Sequence, residues 1–198
     1  MKPDSPEEML DQLSNLIKTE FRDQSGIIYA LSIKDTETLS EGLGSRGVRA
    51  LPYHASLEAT CRSKVHRKWL SGSCQVVVAT IAFGMGIDKP NVRFVLHHTL
   101  SKSMENFYQE SGRAGRDGRT SKCILFFKSS DIHRLSTMVF VERTGLSKLY
   151  NMASYCLDTS KCRSRQCNQI FTSLKFFGML RISRTFDYLT FVVKLNFP

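Results

Sequence analysis

The chain has 198 residues and carries 28 Lys and Arg against 18 Asp and Glu, a formal net charge of +10. Hydrophobic residues make up 41% of it and charged residues 23%, a balance that allows a buried core and excludes wholesale disorder, collagen-like architecture and coiled coils. The longest nearly unbroken apolar run, residues 76–87, falls short of the about 20 residues that a membrane-spanning helix needs, so no membrane partner is expected.

The excess of positive charge favours a polyanionic partner such as nucleic acid, although many basic proteins bind none. Six cysteines lie at positions 61, 74, 123, 156, 162 and 167, without a C-x-x-C pair. This spacing is typical of reduced thiols in an intracellular protein. It makes zinc, which needs four convergent ligands, the less favoured interpretation.

The elements predicted in chain order begin with a helix capped by Ser5, with Pro6 in its first turn and Glu8 closing a capping box. Five strands are predicted after it, over residues 26–31, 48–53, 75–80, 92–97 and 123–127. Three helices alternate with these strands and are predicted to begin at Ser32, Ser56 and Ser103. Strands that alternate with helices in this way predict an α/β fold, with a parallel sheet covered on both faces.

The strand pattern stops near Ser129, where a boundary is expected. Two further helices are predicted over residues 131–144 and 146–157. Residues 163–198 are rich in phenylalanine and poor in acidic residues, and they contain one more predicted strand, residues 188–193, with no evident partner. No fold is predicted for this tail.

A first candidate binding segment follows the third strand, over residues 80–90. Gly84 and Gly86 allow backbone N–H groups to approach a phosphate. Thr80 adds a hydroxyl group and Asp88 a carboxylate. A plain glycine turn is the alternative interpretation, and the two glycines alone would favour it.

A second candidate segment covers residues 108–119, where a predicted helix ends in a turn that contains Arg113 and Arg116. Guanidinium groups match phosphate oxygens and are typical of phosphoryl-transfer sites. A solvated basic loop is the alternative. In parallel sheets ligands bind outside the carboxyl ends of the strands, so we expect both segments at that same edge, which favours the phosphate interpretation.

The sequence also lacks two parts of a nucleotide site. There is no G-x-x-x-x-G-K-[ST] loop for the β- and γ-phosphates, and no apolar strand ends in a D-E-x-H carboxylate pair for Mg²⁺. The chain is therefore expected to hold at most half of an ATP site.

Four motifs together resemble a known family. They lie at residues 25–29, 53–55, 77–90 and 108–118, and the last two resemble helicase motifs V and VI. Residues 24–163 thus resemble the second RecA-like lobe of superfamily 2 helicases, specifically the RecQ family of ATP-dependent 3′-to-5′ DNA helicases, and most closely its short vertebrate type.

The resemblance implies roles for individual residues. Arg116 would be the arginine finger that reaches the γ-phosphate held by the first lobe, with Arg113 beside it. Three residues would couple this site to the DNA groove, namely Gln109, Asp88 and Gly86. Five would face DNA, namely Thr80, His54, Lys89, Ser101 and Lys102. For His54, a packed or capping histidine is an equally good interpretation.

The resemblance also divides the chain. It implies a lead-in helix and linker (1–24), a RecA-like lobe (25–128), the helical start of a zinc module (129–162) and a divergent tail (163–198). The first cysteine of that zinc module would match Cys162, but the family's remaining zinc ligands do not appear. Zinc is therefore not expected here.

Three functions remain open from the sequence. The chain would be part of a nuclear RecQ-type helicase in DNA repair and recombination, acting on single-stranded and forked DNA with ATP and Mg²⁺ once an absent first lobe completes it. Alternatively, it would be a truncated, catalytically inactive form that binds nucleic acid and modulates the complete helicase. The third possibility is an unrelated α/β module that binds a phosphorylated small molecule. No oligomeric state is favoured.

Overall fold

The computed structural model describes residues 3, 5–81, 83, 88–158 and 189–196. Within these ranges, none of the helices is both long and apolar enough to cross a membrane. The elements in chain order are α1 (Pro6–Thr19), β1 (Ser25–Tyr29), α2 (Ile33–Ser45), β2 (Ala50–Tyr53), α3 (Ala59–Leu70), β3 (Val76–Ala79), β4 (Val92–His97), α4 (Met104–Ser111), β5 (Ser121–Lys128), α5 (Ser129–Val139), α6 (Gly145–Leu157) and β6 (Leu189–Asn196).

The strands form one parallel sheet in the order β2-β3-β1-β4-β5-β6. All four residues of β3 are buried, as expected for a strand covered on both faces. One face of the sheet packs against α1 and α2. The other face, which carries Tyr29, Val95 and Cys123 and which we call the α4 face, packs against α4, α5, α6 and Trp69 of α3. The prediction of a parallel α/β sheet covered on both faces is confirmed.

The helix starts agree only in part with the predicted caps. Ser32 caps α2 in a reciprocal box with Asp35, and the Ser103 hydroxyl accepts from the Asn106 backbone N–H at the start of α4. The predicted box at Ser5 is wrong, because the Ser5 side chain makes no capping hydrogen bond. The predicted cap at Ser56 is also wrong. Ser56 lies in a turn closed by the Leu57 N–H and the His54 carbonyl, 3.2 Å apart, and α3 begins only at Ala59.

The two helices after β5 are confirmed, but α5 ends at Val139 rather than near Thr144. Tight turns follow, in which the Glu142 N–H donates to the Val139 carbonyl and the Gly145 N–H to the Glu142 carbonyl, each at 3.0 Å. A Cβ atom at position 145 would collide with the Val139 carbonyl oxygen, so the close approach of α6 to the end of α5 requires glycine there.

The strand predicted in the tail is present, but the expectation that it lacks a partner is wrong. β6 pairs in parallel with β5 along all eight of its residues. Without β6, β5 would be an edge strand with unpaired backbone donors and acceptors, and any β-prone segment that reaches it can add to the sheet. Cys162, which would match the first cysteine of the zinc module, lies outside the described residues.

Candidate functional site

Two connections cross the α4 face and form the candidate site. The first crossover, residues 80–91, links the carboxyl end of β3 to the amino end of β4, and its Phe83 is fully buried in the core of this face. The second crossover, residues 98–120, includes α4 and links β4 to β5. Both therefore start at the carboxyl edge of the sheet and end at its amino edge.

The arginine turn lies at the amino edge of the sheet, not at the carboxyl edge where we expected it. The Gly115 N–H donates to the Val92 carbonyl at the start of β4, 3.0 Å away. Arg93, the next residue of that strand, donates to the Asp117 carboxylate at 2.6 Å. The reason is that α4 runs back along the sheet, so the turn that follows it reaches the opposite edge. The premise of a common carboxyl edge for the two segments is thus wrong.

The two predicted segments nevertheless meet, because both crossovers end at that edge. The Arg116 guanidinium donates to the Asp88 carboxylate, with 3.3 Å between Nη1 and Oδ1. The Asp88 side chain is 85% exposed and that of Arg116 36%, so water screens the pair and its net stabilisation is small. An incoming anion can therefore compete with Asp88 for the guanidinium at little cost.

The shape of the turn depends on Gly115, which has a φ of +69°. A Cβ atom there would lie 2.5 Å from the Ser121 hydroxyl oxygen and 3.0 Å from the Arg119 carbonyl oxygen. At this position between Arg113 and Arg116, glycine therefore fits both the left-handed backbone and the close approach of those two oxygens. This places the two guanidinium groups on either side of a fixed bend.

Arg113 lies half-buried next to the phenol of Tyr29. The Tyr29 hydroxyl group donates to the Phe83 carbonyl oxygen at 3.0 Å and accepts from the Arg113 guanidinium. Burial raises the pKa of the Tyr29 phenol above its ordinary value, and the charge of Arg113 only partly opposes this. The Arg113 Nε is buried and makes no hydrogen bond within the described ranges. The sequence analysis placed Tyr29 in the motif at residues 25–29 but gave it no role, although a tyrosine that ends a buried strand is a usable signal.

A buried polar network lies behind the arginine turn. His97 Nε2 and Glu110 Oε2 are 3.0 Å apart, and the Ser101 hydroxyl donates to the same Glu110 oxygen at 2.8 Å. On the other side of the ring, His97 Nδ1 is 3.7 Å from Cys123 Sγ, which is in turn 3.0 Å from the Ser111 hydroxyl oxygen. The network joins β4, α4 and β5 under the turn. The Ser101 hydroxyl points into it and not toward solvent.

Besides Ser101, two more of the proposed DNA contacts are buried in packing roles. Lys89 is 6% exposed, and its ammonium donates to the Trp69 and Leu70 carbonyls at 3.0 and 3.1 Å, over the Trp69 ring. Burial also lowers its pKa. His54 is 3% exposed, with Nε2 3.5 Å from the Glu37 carboxylate but without hydrogen-bond geometry. These contacts favour the interpretation of His54 as a packed histidine. They give Lys89 the role of capping the end of a helix.

The remaining predicted residues lie nearer the surface. Gln109 is exposed on α4, while Lys102 and Thr80 are half-exposed at the starts of the second and first crossovers. Gly86 lies outside the described residues. In the part of the chain that the structure describes, no group of three or more His, Cys, Asp or Glu side chains could hold a metal ion.

Comparison with known proteins relates this chain to helicases. A profile of the helicase conserved C-terminal domain matches residues 8–118. ATP-dependent DNA helicase Q1 of Rattus norvegicus is 55% identical over 162 residues, which cover 82% of this chain and 26% of that protein. RecQ-like DNA helicase BLM of Xenopus laevis is 43% identical over 185 residues, which cover 89% of this chain and 13% of that protein.

Among solved structures, the DEAD-box protein SrmB of E. coli, bound to the regulator RraA, has a TM-score of 0.60 at 22% identity. The match covers 67% of this chain and 78% of that one, and at this identity it shows the RecA-like fold alone. This chain spans only about a quarter of the length of the Q1 helicase of rat.

Proposed function

Because this chain belongs to the helicase conserved C-terminal domain family, we propose that it acts as the second RecA-like lobe of a RecQ-type ATP-dependent 3′-to-5′ DNA helicase. In this proposal a first lobe holds ATP, and this lobe supplies the arginine finger and part of the DNA groove. The complete enzyme would unwind forked DNA in the nucleus, in repair and recombination.

The observation that carries the proposal is the arginine turn. Arg116 is held by a solvent-screened ion pair with Asp88, and Arg113 keeps a buried donor, Nε, without a partner in the described ranges. Guanidinium groups placed on a rigid bend fit the γ-phosphate of a nucleotide bound by a neighbouring lobe. They would stabilise the negative charge that develops there during phosphoryl transfer.

Magnesium would be held by the first lobe and the phosphates, since Mg²⁺ needs carboxylate and phosphate oxygens and the described residues offer no acidic cluster beside the turn. When bound, the ion would neutralise charge on the β- and γ-phosphates. The residues of this chain would act on the same phosphates through Arg116 and Arg113, and Gln109, exposed on α4, would lie toward the lobe interface.

On the DNA side, Thr80 and Lys102 support a contact with single-stranded phosphates. Both lie in the first few residues of a crossover that starts at the carboxyl edge of the sheet, and both are half-exposed. The ATP-facing turn lies at the other end of the same two crossovers. This arrangement would let a change at one end of a crossover reach the other.

One observation favours a second candidate function. β6 extends the sheet beyond β5, so the tail forms part of the same sheet as the lobe. A chain with this tail could bind nucleic acid without hydrolysing ATP and modulate a complete helicase.

The first prediction concerns Arg116. The chain alone should hydrolyse no ATP above background, and the chain mixed with a separately folded first lobe from rat Q1 helicase should show DNA-dependent hydrolysis. Arg116→Ala should then lower kcat by roughly a thousandfold, because an arginine finger is worth about 10³ or more. Steady-state phosphate release measures both effects.

Arg119→Ala is the matched control, since Arg119 is an exposed arginine of the same turn. It should leave kcat near that of the parent. Equal rates for the parent and Arg116→Ala would contradict the finger role. ATP hydrolysis by the chain alone would contradict the expectation that it holds at most half of an ATP site. A mixture of folded lobes that hydrolyses no ATP would favour the second candidate function.

A further inference from the structure

The Tyr29 hydroxyl lies where the two crossovers approach each other beneath the proposed site. It donates to the Phe83 carbonyl of the first crossover at 3.0 Å and accepts from the Arg113 guanidinium of the second. One hydroxyl group can make both bonds at once, because its proton and its lone pairs serve different partners. It is thus a shared partner for the segment proposed to hold DNA and the segment proposed to face ATP.

We propose that Tyr29 is a positioning residue that couples the two crossovers, so that movement of the first crossover on DNA changes the placement of Arg113 toward the nucleotide. This inference rests on the proposed function. It gives a coupling role to the last residue of β1, which belongs to the motif at residues 25–29 and not to motif V or VI.

The Tyr29 side chain is held rigidly enough to transmit such a movement. It is 4% exposed, and its ring stacks on His97 of the neighbouring strand with centroids 5.6 Å apart. The bonded carbonyl is equally well fixed, because the Phe83 ring packs edge-on against Tyr53 at 4.6 Å and Trp69 at 5.5 Å. Tyr29 and Phe83 therefore both belong to the close-packed core, in which a displacement of one side chain moves its neighbours. We call the hydrogen bonds of the Tyr29 hydroxyl to Phe83 and Arg113 the bridge.

Arg113 depends on this hydroxyl for its orientation. Its Nε is buried without a hydrogen-bond partner in the described ranges, so Nε does not help to fix the plane of the guanidinium. Removing the hydroxyl would leave the Phe83 carbonyl and the Arg113 donors without their common partner. A bidentate contact with phosphate needs a defined guanidinium plane, so the loss would affect turnover more than ATP affinity.

The test compares Tyr29→Phe with the parent in two measurements. In the mixture with the first lobe, the variant should lower the DNA-stimulated kcat by about tenfold, the effect of losing one hydrogen bond to a charged group. The KM for ATP and the affinity for single-stranded DNA should stay within about twofold. Arg113→Gln should lower kcat as well, and the double variant should be no worse than Arg113→Gln alone, because non-additivity marks residues that act through one another.

The second measurement uses the chain by itself, without ATP, and detects coupling between the crossovers by amide hydrogen exchange. Arg113→Gln changes only the second crossover, yet amide hydrogen exchange should become faster in residues 80–83 of the first. Tyr29→Phe should speed exchange in both crossovers. Tyr150→Phe is the control, since it removes a hydroxyl from an exposed ring on α6 and should change neither. Thermal unfolding confirms that each variant is folded.

The outcomes separate this inference from the function on which it rests. If Arg116→Ala abolishes turnover while Tyr29→Phe matches the parent, the helicase role stands and the coupling role of Tyr29 is wrong. If Arg113→Gln leaves exchange in residues 80–83 unchanged, the bridge does not connect the crossovers. If exchange responds as expected but Arg116→Ala is fully active, the bridge is real and the proposed helicase role is wrong.

Discussion

His97 is a fully buried histidine with two titratable neighbours on different elements. Burial by itself lowers the pKa of the imidazole, but Cys123 of β5 and Glu110 of α4 raise it more strongly, to about 9. Tyr29 of β1 stacks on the same ring. Because Glu110 is 3.0 Å from Nε2 and Cys123 3.7 Å from Nδ1, we regard the carboxylate as the principal partner of the protonated ring.

A dependence of stability on pH follows from this raised pKa. An unfolded histidine has a pKa of about 6.5, so the folded state binds the proton more tightly. The stabilisation is fully present below about pH 6.5 and is lost as the pH rises through about 9, amounting to on the order of 1–3 kcal/mol. Urea unfolding of the parent and of His97→Asn should therefore give a difference in unfolding free energy that shrinks between these pH values.

Glu110→Gln provides the control for this interpretation. It removes the charge that favours the imidazolium while keeping a side chain of the same shape, so its unfolding free energy should vary less with pH than that of the parent. A difference between parent and His97→Asn that stays constant from pH 6 to pH 9 would show that His97 does not bind a proton in this range.

At the scale of elements, Lys89 stabilises the carboxyl end of α3. Its ammonium bonds the last carbonyls of the helix, at Trp69 and Leu70, which are the groups that a helix leaves without internal partners. Lys89→Met should lower the free energy of unfolding by about 1–2 kcal/mol, because those carbonyls lose a charged donor. The affinity for single-stranded DNA should change no more than it does when any other single lysine is replaced.

Lys68→Met is the matched variant for this prediction, since Lys68 is an exposed residue of the last turn of the same helix. Chemical denaturation and a DNA titration of both variants separate the two roles of Lys89. If Lys89→Met weakens DNA binding far more than Lys68→Met does while leaving stability unchanged, the original interpretation of Lys89 as a DNA contact is restored.

The elements also show which features of the fold local sequence patterns can predict. The run of valines at 76–78 predicts a strand buried on both faces, and β3 is such a strand. The serines at 32 and 103 predict caps because capping is decided within four residues. The edge of the sheet at which the arginine turn lies was not predictable in this way, because it depends on the path of the whole second crossover.

Long-range contacts account for the parts of the site that sequence reasoning missed. Tyr29 gains its role from Phe83, 54 positions away, and the inward direction of Ser101 depends on Glu110 pairing with His97. Likewise, the pairing of β6 with β5 joins segments about 70 residues apart, and no local pattern specifies a partner at that separation. Residue types in the sequence predict a kind of chemistry, whereas the direction of each side chain depends on the fold.

At the scale of the whole molecule, the net charge of +10 favours the proposed binding of DNA. The proposed contacts are to phosphates, so affinity for single-stranded DNA should depend on the release of counterions. If the crossovers and the basic tail together contact about three to five phosphates, the association constant should fall roughly 20- to 130-fold between about 50 and 200 mM salt. Fluorescence anisotropy with a labelled oligonucleotide measures this slope.

A chain that ends at Arg163 tests which part of the molecule binds. The tail beyond that residue carries several basic side chains and a single acidic one, Asp187, so it can attract DNA without forming a specific groove. If the crossovers form the groove, the shorter chain keeps most of its affinity and shows a shallower salt slope, because fewer phosphates are neutralised. If the shorter chain binds no DNA, the affinity comes from the tail, and the assignment of Thr80 and Lys102 to the DNA groove is wrong.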